Sequence, residues 1–385
     1  MDIISEICSR ESCTGCATCA SICHKNCIKM FPDEEGFLRP VIDETVCVNC
    51  GLCRKKCPIN IHYSDDGVEP LTFAARLKDE KLREKSSSGG VFSALAMQIL
   101  ERNGIVIGAG FDENYQVVHK ICTEQSKLDE LRRSKYVQSC IGNIYCDAKE
   151  HLDTGKEVLF CGTPCQVSGI KAYLGKEYNN LYTVDFICHG VPSPFAWSQY
   201  LAFHEKNAKS KIKEVSFRSK LNGWKNFCMQ VAFQNGTYFN SKVTDDFYLR
   251  SFIMDMNLRP SCYHCHFKQK HRQADITMAD FWGVEHYLPN WDNDTGVSLA
   301  MIHSNGGYRL FDSCGTMLES VEVTFADAVR GNPSMISSVC KPILRDAFMK
   351  DLKRLSYDKL YRKYCGKNIS SKIRRKVSYL CKDKK

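Results

Sequence analysis

This 385-residue chain has no apolar run long enough to span a bilayer; its longest candidate, "VFSALAMQIL" (91–100), ends at Glu101 and Arg102. No secretory leader is expected either, because the opening "MDIISEICSR" is acidic and has neither a basic start nor an apolar stretch. Both absences lead us to expect a cytoplasmic protein. No nucleic-acid-binding motif accompanies the net charge of +9, and that charge is unevenly spread. Residues 1–62 carry seven Lys or Arg against eight Asp or Glu, a net of −1, whereas residues 366–385 carry eight basic residues and one Asp, a net of +7. The positive excess is thus a property of the tail. Apolar content of 43% and charged content of 25% are ordinary for a globular protein, and the length has room for two or three domains.

What the chain has in excess is cysteine. Twenty-three of them in a reducing compartment imply metal binding or redox chemistry, since disulfides persist mainly outside the cytosol. Cys13, Cys16, Cys19 and Cys23 recur as Cys47, Cys50, Cys53 and Cys57, each displaced by 34 residues. Both copies read C-x2-C-x2-C-x3-C, and the second runs on into Pro58, as the bacterial ferredoxin pattern does. In that pattern three thiolates two residues apart wrap a loop over three irons, and the fourth ligand comes from the other copy. The expected 4Fe–4S sets are therefore Cys13, Cys16, Cys19 with Cys57, and Cys47, Cys50, Cys53 with Cys23. Paired zinc sites are the weaker reading, because they favour two CxxC pairs a dozen or more residues apart. Cys27 has no partner in the second copy, where position 61 is Ile, so it is expected as a spare that packs like an apolar residue. Cys8 and eight other cysteines have no ligand spacing, and most of them are expected to be buried small apolar residues.

After a linker at 60–70 the pattern turns to alternating strands and helices. "LTFAARL" (71–77), "IVIGAGF" (105–111), "QVVHKIC" (116–122), "EVLF" (157–160) and "LYTVDFI" (181–187) read as strands. A helix is expected behind "SSSGG" (86–90), with Val91, Phe92, Leu95, Ile99 and Leu100 on one face and Gly104 after its end. Asn235-Gly236 signals a hairpin. The serines and glycines of 86–90 suit backbone amides brought against a phosphate, with a plain helix N-cap as the alternative. "FCGTPCQ" (160–166) should carry Cys165 at a helix N-terminus behind Pro164, where the macrodipole favours a thiolate. "FICHGVPSP" (186–194) places Cys188 and His189 at a strand end, and loops at the carboxyl ends of parallel strands gather on one edge. Cys262 and Cys265 form a further CxxC. Spacing leaves three readings of it open: a third cluster shared with Cys165 and Cys188, a zinc site completed by His266 and His271, or structural thiols.

Taken together, "SSGGVF", "RRSKYVQS", "LFCGTPCQ", "DFICHGVPSP", "SCYHC" and "ADITMADFWG" resemble the coenzyme F420 hydrogenase/dehydrogenase beta-subunit family over nearly the whole chain, with a ferredoxin module fused in front. The resemblance implies an iron–sulfur flavoprotein of α+β class. Residues 1–62 would form a two-cluster ferredoxin-like domain, 71–210 an α/β flavin- and cluster-binding part, 211–366 a mixed α+β part, and 367–385 a basic tail. Carried onto this chain, it implies FAD held by Ser87, Ser88, Gly89, Gly90, Ser134, Lys135, Tyr136, Gln138 and Asp280. It also favours Cys165, Cys188, Cys262 and Cys265 as ligands of a third cluster, with Cys161 the competitor of Cys165. Lys135 has a solvated helix lysine as its bland alternative, Asp280 a structural cap, and His189 a loop hydrogen bond in place of a catalytic proton donor.

The implied activity moves two electrons between an organic substrate, deazaflavin or other, and FAD, and single electrons through the clusters to or from ferredoxin or another redox protein. The rival is an electron-relay subunit without its own substrate site. No feature selects the deazaflavin. In the tail, Ile369, Ile373, Val377 and Leu380 keep helical spacing among basic residues, a candidate peripheral membrane contact with a solvated helix as the alternative. Oligomeric state stays open.

Overall fold

The protein, described by a computed structural model over residues 7–63 and 67–364, is an α+β molecule in which a small iron–sulfur-type module sits directly on a larger body. In the module, β1 (Ile28–Pro32) and β2 (Leu38–Ile42) form an antiparallel hairpin. The repeat in sequence is also a repeat in backbone. Gly15 and Asn49, and Ala17 and Gly51, all take left-handed conformations (φ 69°, 52°, 64° and 69°), and the latter pair open the short helices Thr18–Ser21 and Leu52–Lys55. Nearly all of the module's own core is sulfur and a few aliphatic groups: Ile7, Cys8, Cys13, Cys19, Cys27, Ile28 and Cys57.

The body is built on β3 (Leu71–Leu77), β4 (Ile105–Phe111), β5 (Val117–Cys122), β6 (Val158–Cys161), β7 (Leu181–Phe186), β8 (Ile212–Ser219), β9 (Cys228–Phe233), β10 (Tyr238–Lys242), β11 (Ile276–Asp280), β12 (Ser298–Ile302) and β13 (Leu318–Val323). Eight of these make one sheet in the order β13-β3-β12-β11-β7-β6-β4-β5, while β8, β9 and β10 make a separate three-stranded sheet. In the middle of the large sheet β11, β7, β6 and β4 run parallel; the outer pairings are antiparallel. The strands expected from periodicity are present, and the β9–β10 hairpin turns at Asn235-Gly236 with Gly236 at φ +83°. A division at 210 does not separate the sheet, however. β11 and β12 insert between β7 and β3, because "SLAMI" is buried along its whole length and needs a neighbour on each side.

The Val91–Glu101 helix begins behind Gly90 (φ +94°), buries Val91, Leu95, Ile99 and Leu100, and leaves Phe92 half-buried on a cavity wall. After its end the Gly104 amide bonds to Ile99 O. The Pro164–Leu174 helix carries a reciprocal capping box between Thr163 and Gln166, with Pro164 in its first turn. Among the described residues no helix is long and apolar enough to cross a membrane. The amphipathic spacing expected at 369–380 falls outside the described residues.

Candidate functional site

The site is built from the module outward. Cys13, Cys16, Cys19 and Cys57 are buried and, together with Cys8, wall one small cavity. Cys23, Cys47 and Cys53 pack at the other end of the same core, with Cys53 in electrostatic reach of Cys50 and Cys23. Cys50 is exposed. The fold thus brings the first three cysteines of each copy to the fourth of the other. Two cysteines without ligand spacing also lie at these cages. Cys8 is in hydrogen-bond contact with Cys13 and Cys57, and the Cys27 sulfur lies 3.3 Å from that of Cys23. Neither is merely a buried thiol.

The module's inner end is clamped to the body. Thr18 Oγ1 donates to Gly169 O (3.1 Å) and lies 3.3 Å from Cys16 Sγ. Gly169 leaves the Pro164–Leu174 helix bare at this contact: a Cβ there would stand 2.6 Å from the Tyr145 hydroxyl and 2.8 Å from Thr18 Oγ1. Gln138, expected at the flavin, instead donates to Thr14 O (3.0 Å) and accepts from Arg259 (2.7 Å), so it belongs to the seam and does not line the cavity described below. Arg259, with no exposed surface, donates to Cys13 O (2.8 Å), Leu38 O (3.0 Å) and Cys13 Sγ (3.6 Å).

Loops from the carboxyl ends of β6 and β7 meet the Pro260–His264 turn next to this seam. They bring Cys165, Cys188, Cys262 and Cys265 into one electrostatic group, Cys165 facing Cys265 and Cys188, and Cys188 facing Cys262. Cys161 interacts with Asp185 and Lys135 and with none of the four. The backbone amide of Val191 donates to Cys262 Sγ (3.4 Å), and the amides of Phe267 and Lys268 serve Cys265, as sulfur ligands of a cluster require. Helix-terminal stabilisation of a Cys165 thiolate does not prevail. Burial pushes the thiol well up despite its 3.1 Å contact with Thr163 Oγ1, and burial also raises Cys188 to about 12 and Cys262 to about 11. Thiols so buried ionise when a metal replaces the proton. Among the described residues no group of three or more His, Cys, Asp or Glu is spaced for a single ion, the ferredoxin-type cysteines included.

On the far side of Cys188 lies a cavity of about 580 Å³, within the range of cofactor and small-molecule sites. The Cys188–His189 loop forms part of its wall, so cavity and cysteine group share one segment. The two segments expected at a flavin are bonded to each other, Ser134 N donating to Ser87 Oγ (2.8 Å). Gly89 does not offer its amide to the cavity; it donates to Ser298 Oγ (2.9 Å), and a Cβ would stand 2.6 Å from Ser298 N. Its glycine requirement is strand packing. The N-terminus of the Val91–Glu101 helix, by contrast, carries no side-chain cap and faces the cavity, a fit for an anionic group.

Lys135 lies outside any helix, donates to Arg132 O (2.7 Å) and Glu130 O (3.1 Å), and is lowered by burial to about 7. Tyr136 stacks on Phe252 at 4.8 Å. His189 Nε2 pairs with Asp255 Oδ1 (2.6 Å), and Asp255 holds this position with a left-handed backbone, φ +58°. Asp280 is no helix cap. It pairs with Arg218 (2.5 Å) and accepts from Trp224 Nε1 (2.9 Å) at the end of β11.

Three further residues have no motif that marks them. Arg218 is buried over the rings of Phe227 and Trp282; desolvation alone would weaken its hold on its proton, but Asp280 and Tyr136 together outweigh it and strengthen that hold. Lys220 donates to Arg83 O, Ser88 O and Thr295 O, fixing the 86–90 loop from behind. His119 lines the cavity floor, bonded to Ser139 Oγ (2.9 Å) and Cys161 O (3.2 Å); burial lowers it to about 4. Ser139 in turn accepts from Gln166 (3.0 Å), which belongs to the capping box of the Cys165 helix.

A dicluster-type module on a cysteine-lined α+β body defines a protein of iron–sulfur type. The match is to the models for a 4Fe–4S dicluster domain over residues 12–61, and for the N-terminal (72–144) and C-terminal (155–325) domains of the coenzyme F420 hydrogenase/dehydrogenase beta subunit. The chain belongs to that beta-subunit family, with a 4Fe–4S dicluster domain at its N-terminal side. It is 26% identical over 226 residues to coenzyme F420-dependent sulfite reductase of Methanocaldococcus jannaschii, a match covering 55% of this chain and 34% of that protein. The chain thus spans about a third of that relative. It is 37% identical over 60 residues to a 7Fe ferredoxin of Hydrogenibacillus schlegelii, covering 15% of this chain and 70% of the ferredoxin. A chain from the structure of the F420-reducing NiFe hydrogenase complex of Methanosarcina barkeri superposes with a TM-score of 0.46 at 18% identity, over 79% of this chain and 96% of that one.

Proposed function

We propose that the protein is an iron–sulfur flavoprotein oxidoreductase that exchanges two electrons with an organic substrate at the 580 Å³ cavity and passes single electrons to or from a ferredoxin-type carrier at the module's exposed end. One observation carries the reading: the Cys188–His189 loop is wall to both the cavity and the four-cysteine group, and the Pro164–Leu174 helix joins that group to the module at Gly169. A flavin bound there supplies the coupling between two-electron substrates and one-electron clusters. In this reading Cys165, Cys188, Cys262 and Cys265 hold the third cluster. Ser87, Ser134 and the uncapped N-terminus of the Val91–Glu101 helix receive the flavin's phosphates. Tyr136 and Phe252 exclude water from one wall. Asp255 orients His189, which holds a proton at the substrate face of the cavity. Coenzyme F420 is one candidate substrate, and the cavity argues against a pure relay.

Anaerobic purification with iron and flavin analysis tests this. About twelve iron and one flavin per chain are expected from three 4Fe–4S clusters. A folded protein without flavin would sink the enzyme reading, and about eight iron would remove the third cluster alone. Bleaching of bound flavin in stopped flow by reduced deazaflavin, reduced nicotinamide or reduced ferredoxin then selects the substrate.

A further inference from the structure

Arg259 presents a full positive charge with no exposed surface, and among the described residues each of its hydrogen-bond partners is an uncharged carbonyl, amide or sulfur. The nearest acid of the module, Asp33, is bound to Arg39 (3.0 Å) and approached by Arg10 (3.9 Å). An isolated buried cation is costly enough that proteins rarely keep one without an anion beside it. Here the group in direct contact is the cage of Cys13, Cys16, Cys19 and Cys57, reached through Cys13 Sγ (3.6 Å), while Cys262 of the four-cysteine group feels the charge without a hydrogen bond to it. The module's loop is bare where the charge enters it: Gly15 lies against the guanidinium so closely that a Cβ there would meet it at 2.8 Å. Among the described residues the outer cage has no buried counterpart: Arg54, the cation beside Cys53, is exposed and therefore screened.

We propose that Arg259, contributed by the body, is a tuning residue that sets the reduction potential of the module's inner cluster. Adding one electron makes that cluster one unit more negative, with no bond broken and no proton moved. A fixed positive charge a few ångströms away at low dielectric favours that change. Because Arg259 also holds Gln138, the same side chain couples the inner cluster's potential to the segment that lines the cavity with Ser134, Lys135 and Tyr136. The inference rests on the inner cluster set proposed above and on neither the third cluster nor the flavin.

The test is a mediated redox titration of the full chain, purified anaerobically, with each cluster followed by electron paramagnetic resonance. The inner signal is identified as the one that Cys16→Ser alters and that Cys50→Ser and Cys188→Ser both leave in place. Arg259→Met should lower its reduced-to-oxidised ratio at fixed potential on the order of tenfold, about 59 mV for one electron, while the outer signal stays in place and Arg259→Lys stays near the parent. Gln138→Glu, which sets a carboxylate against the guanidinium in the same volume, should shift the inner signal in the same direction. Loss of the inner cluster from Arg259→Met with full iron in Arg259→Lys would also support the charge requirement. An unmoved inner potential in Arg259→Met and Gln138→Glu at full iron would overturn the proposal. Equal iron loss in the Met and Lys variants would overturn it too, since shape and not charge would then be needed. Iron and flavin measured on the same samples distinguish failure of the tuning role from failure of the enzyme reading: about eight iron without flavin leaves the tuning role standing.

Discussion

Cys161 and Cys165 are four residues apart in a stretch where either could reach a cluster, and their environments separate them. Cys165 faces Cys188 and Cys265, whereas Cys161 faces Lys135 and Asp185. Cys165→Ser is therefore expected to lose about four iron per chain and Cys161→Ser none, read by iron analysis of anaerobic preparations. The same measurement checks the outer cage. Cys27→Ala should keep full iron, while Cys23→Ala should lose iron or turn oxygen-labile, with the Cys27 sulfur, 3.3 Å away, the side chain placed to substitute. His189 and Asp255 form one unit across 2.6 Å. His189→Ala is expected to slow flavin reduction by substrate about 10²-fold or more with iron and flavin content unchanged, and Asp255→Asn to slow it less, in stopped flow. The sequence places His189 at a strand end but not its partner, because Asp255 is 66 residues away and marked only by a left-handed backbone.

The Pro164–Leu174 helix is the element on which the whole arrangement turns. Its first turn carries Cys165, its capping box reaches Ser139 and His119, and its glycine meets the module one turn later. Gly169→Ala should therefore be destabilising although Ala is the better helix former. The gain of up to about 1 kcal/mol in propensity is exceeded by overpacking against Tyr145, Thr18 and Cys16, about 1–3 kcal/mol. A lower anaerobic melting temperature, and slower arrival of electrons at the module, are the expected readings; equal or higher stability would mean that the seam can open without cost. The 160–166 motif shows the strand, the turn and the helix start in sequence. It cannot show that position 169 touches Thr18, 151 residues away, since a single glycine inside a helix has many explanations.

Across the whole molecule, stability should depend on pH through histidines held neutral in the interior. Burial lowers His119 and His204 to about 4 and His303 to about 3. Their folded-state values lie below the unfolded value near 6.5, so the unfolded state binds more protons between about pH 6.5 and 4. Stability is present above that window and is lost as pH falls through it, by about 1.4 kcal/mol per unit for each group. His204 isolates the effect, because it sits among the rings of Tyr200 and Phe239, away from the cysteine cages. His204→Phe should lose about 1 kcal/mol less than the parent between pH 6 and pH 5 in anaerobic urea unfolding, with acid damage to clusters common to both proteins. A parallel pH dependence in the two would rule out a neutral His204 in the folded state.

Local chemistry is legible in the sequence wherever the ligands or turns are close along the chain. The 34-residue cysteine repeat, the Asn235-Gly236 turn, the Pro164 helix start and the strand end carrying Cys188 each state their own geometry, because sulfur spacing, proline, glycine and apolar runs act over a few residues. What tertiary structure decided is which of these meet. In sequence, Gln138 goes with its neighbours Ser134, Lys135 and Tyr136 to the cavity, yet the segment is irregular and follows no period, and Gln138 bonds to the module while its neighbours line the cavity. Arg259, Thr18, Gly169 and Cys8 carry no motif at all. Their roles arise from burial of charge and loss of space between elements that folding brings into contact, a quantity that one chain's order of residues does not contain.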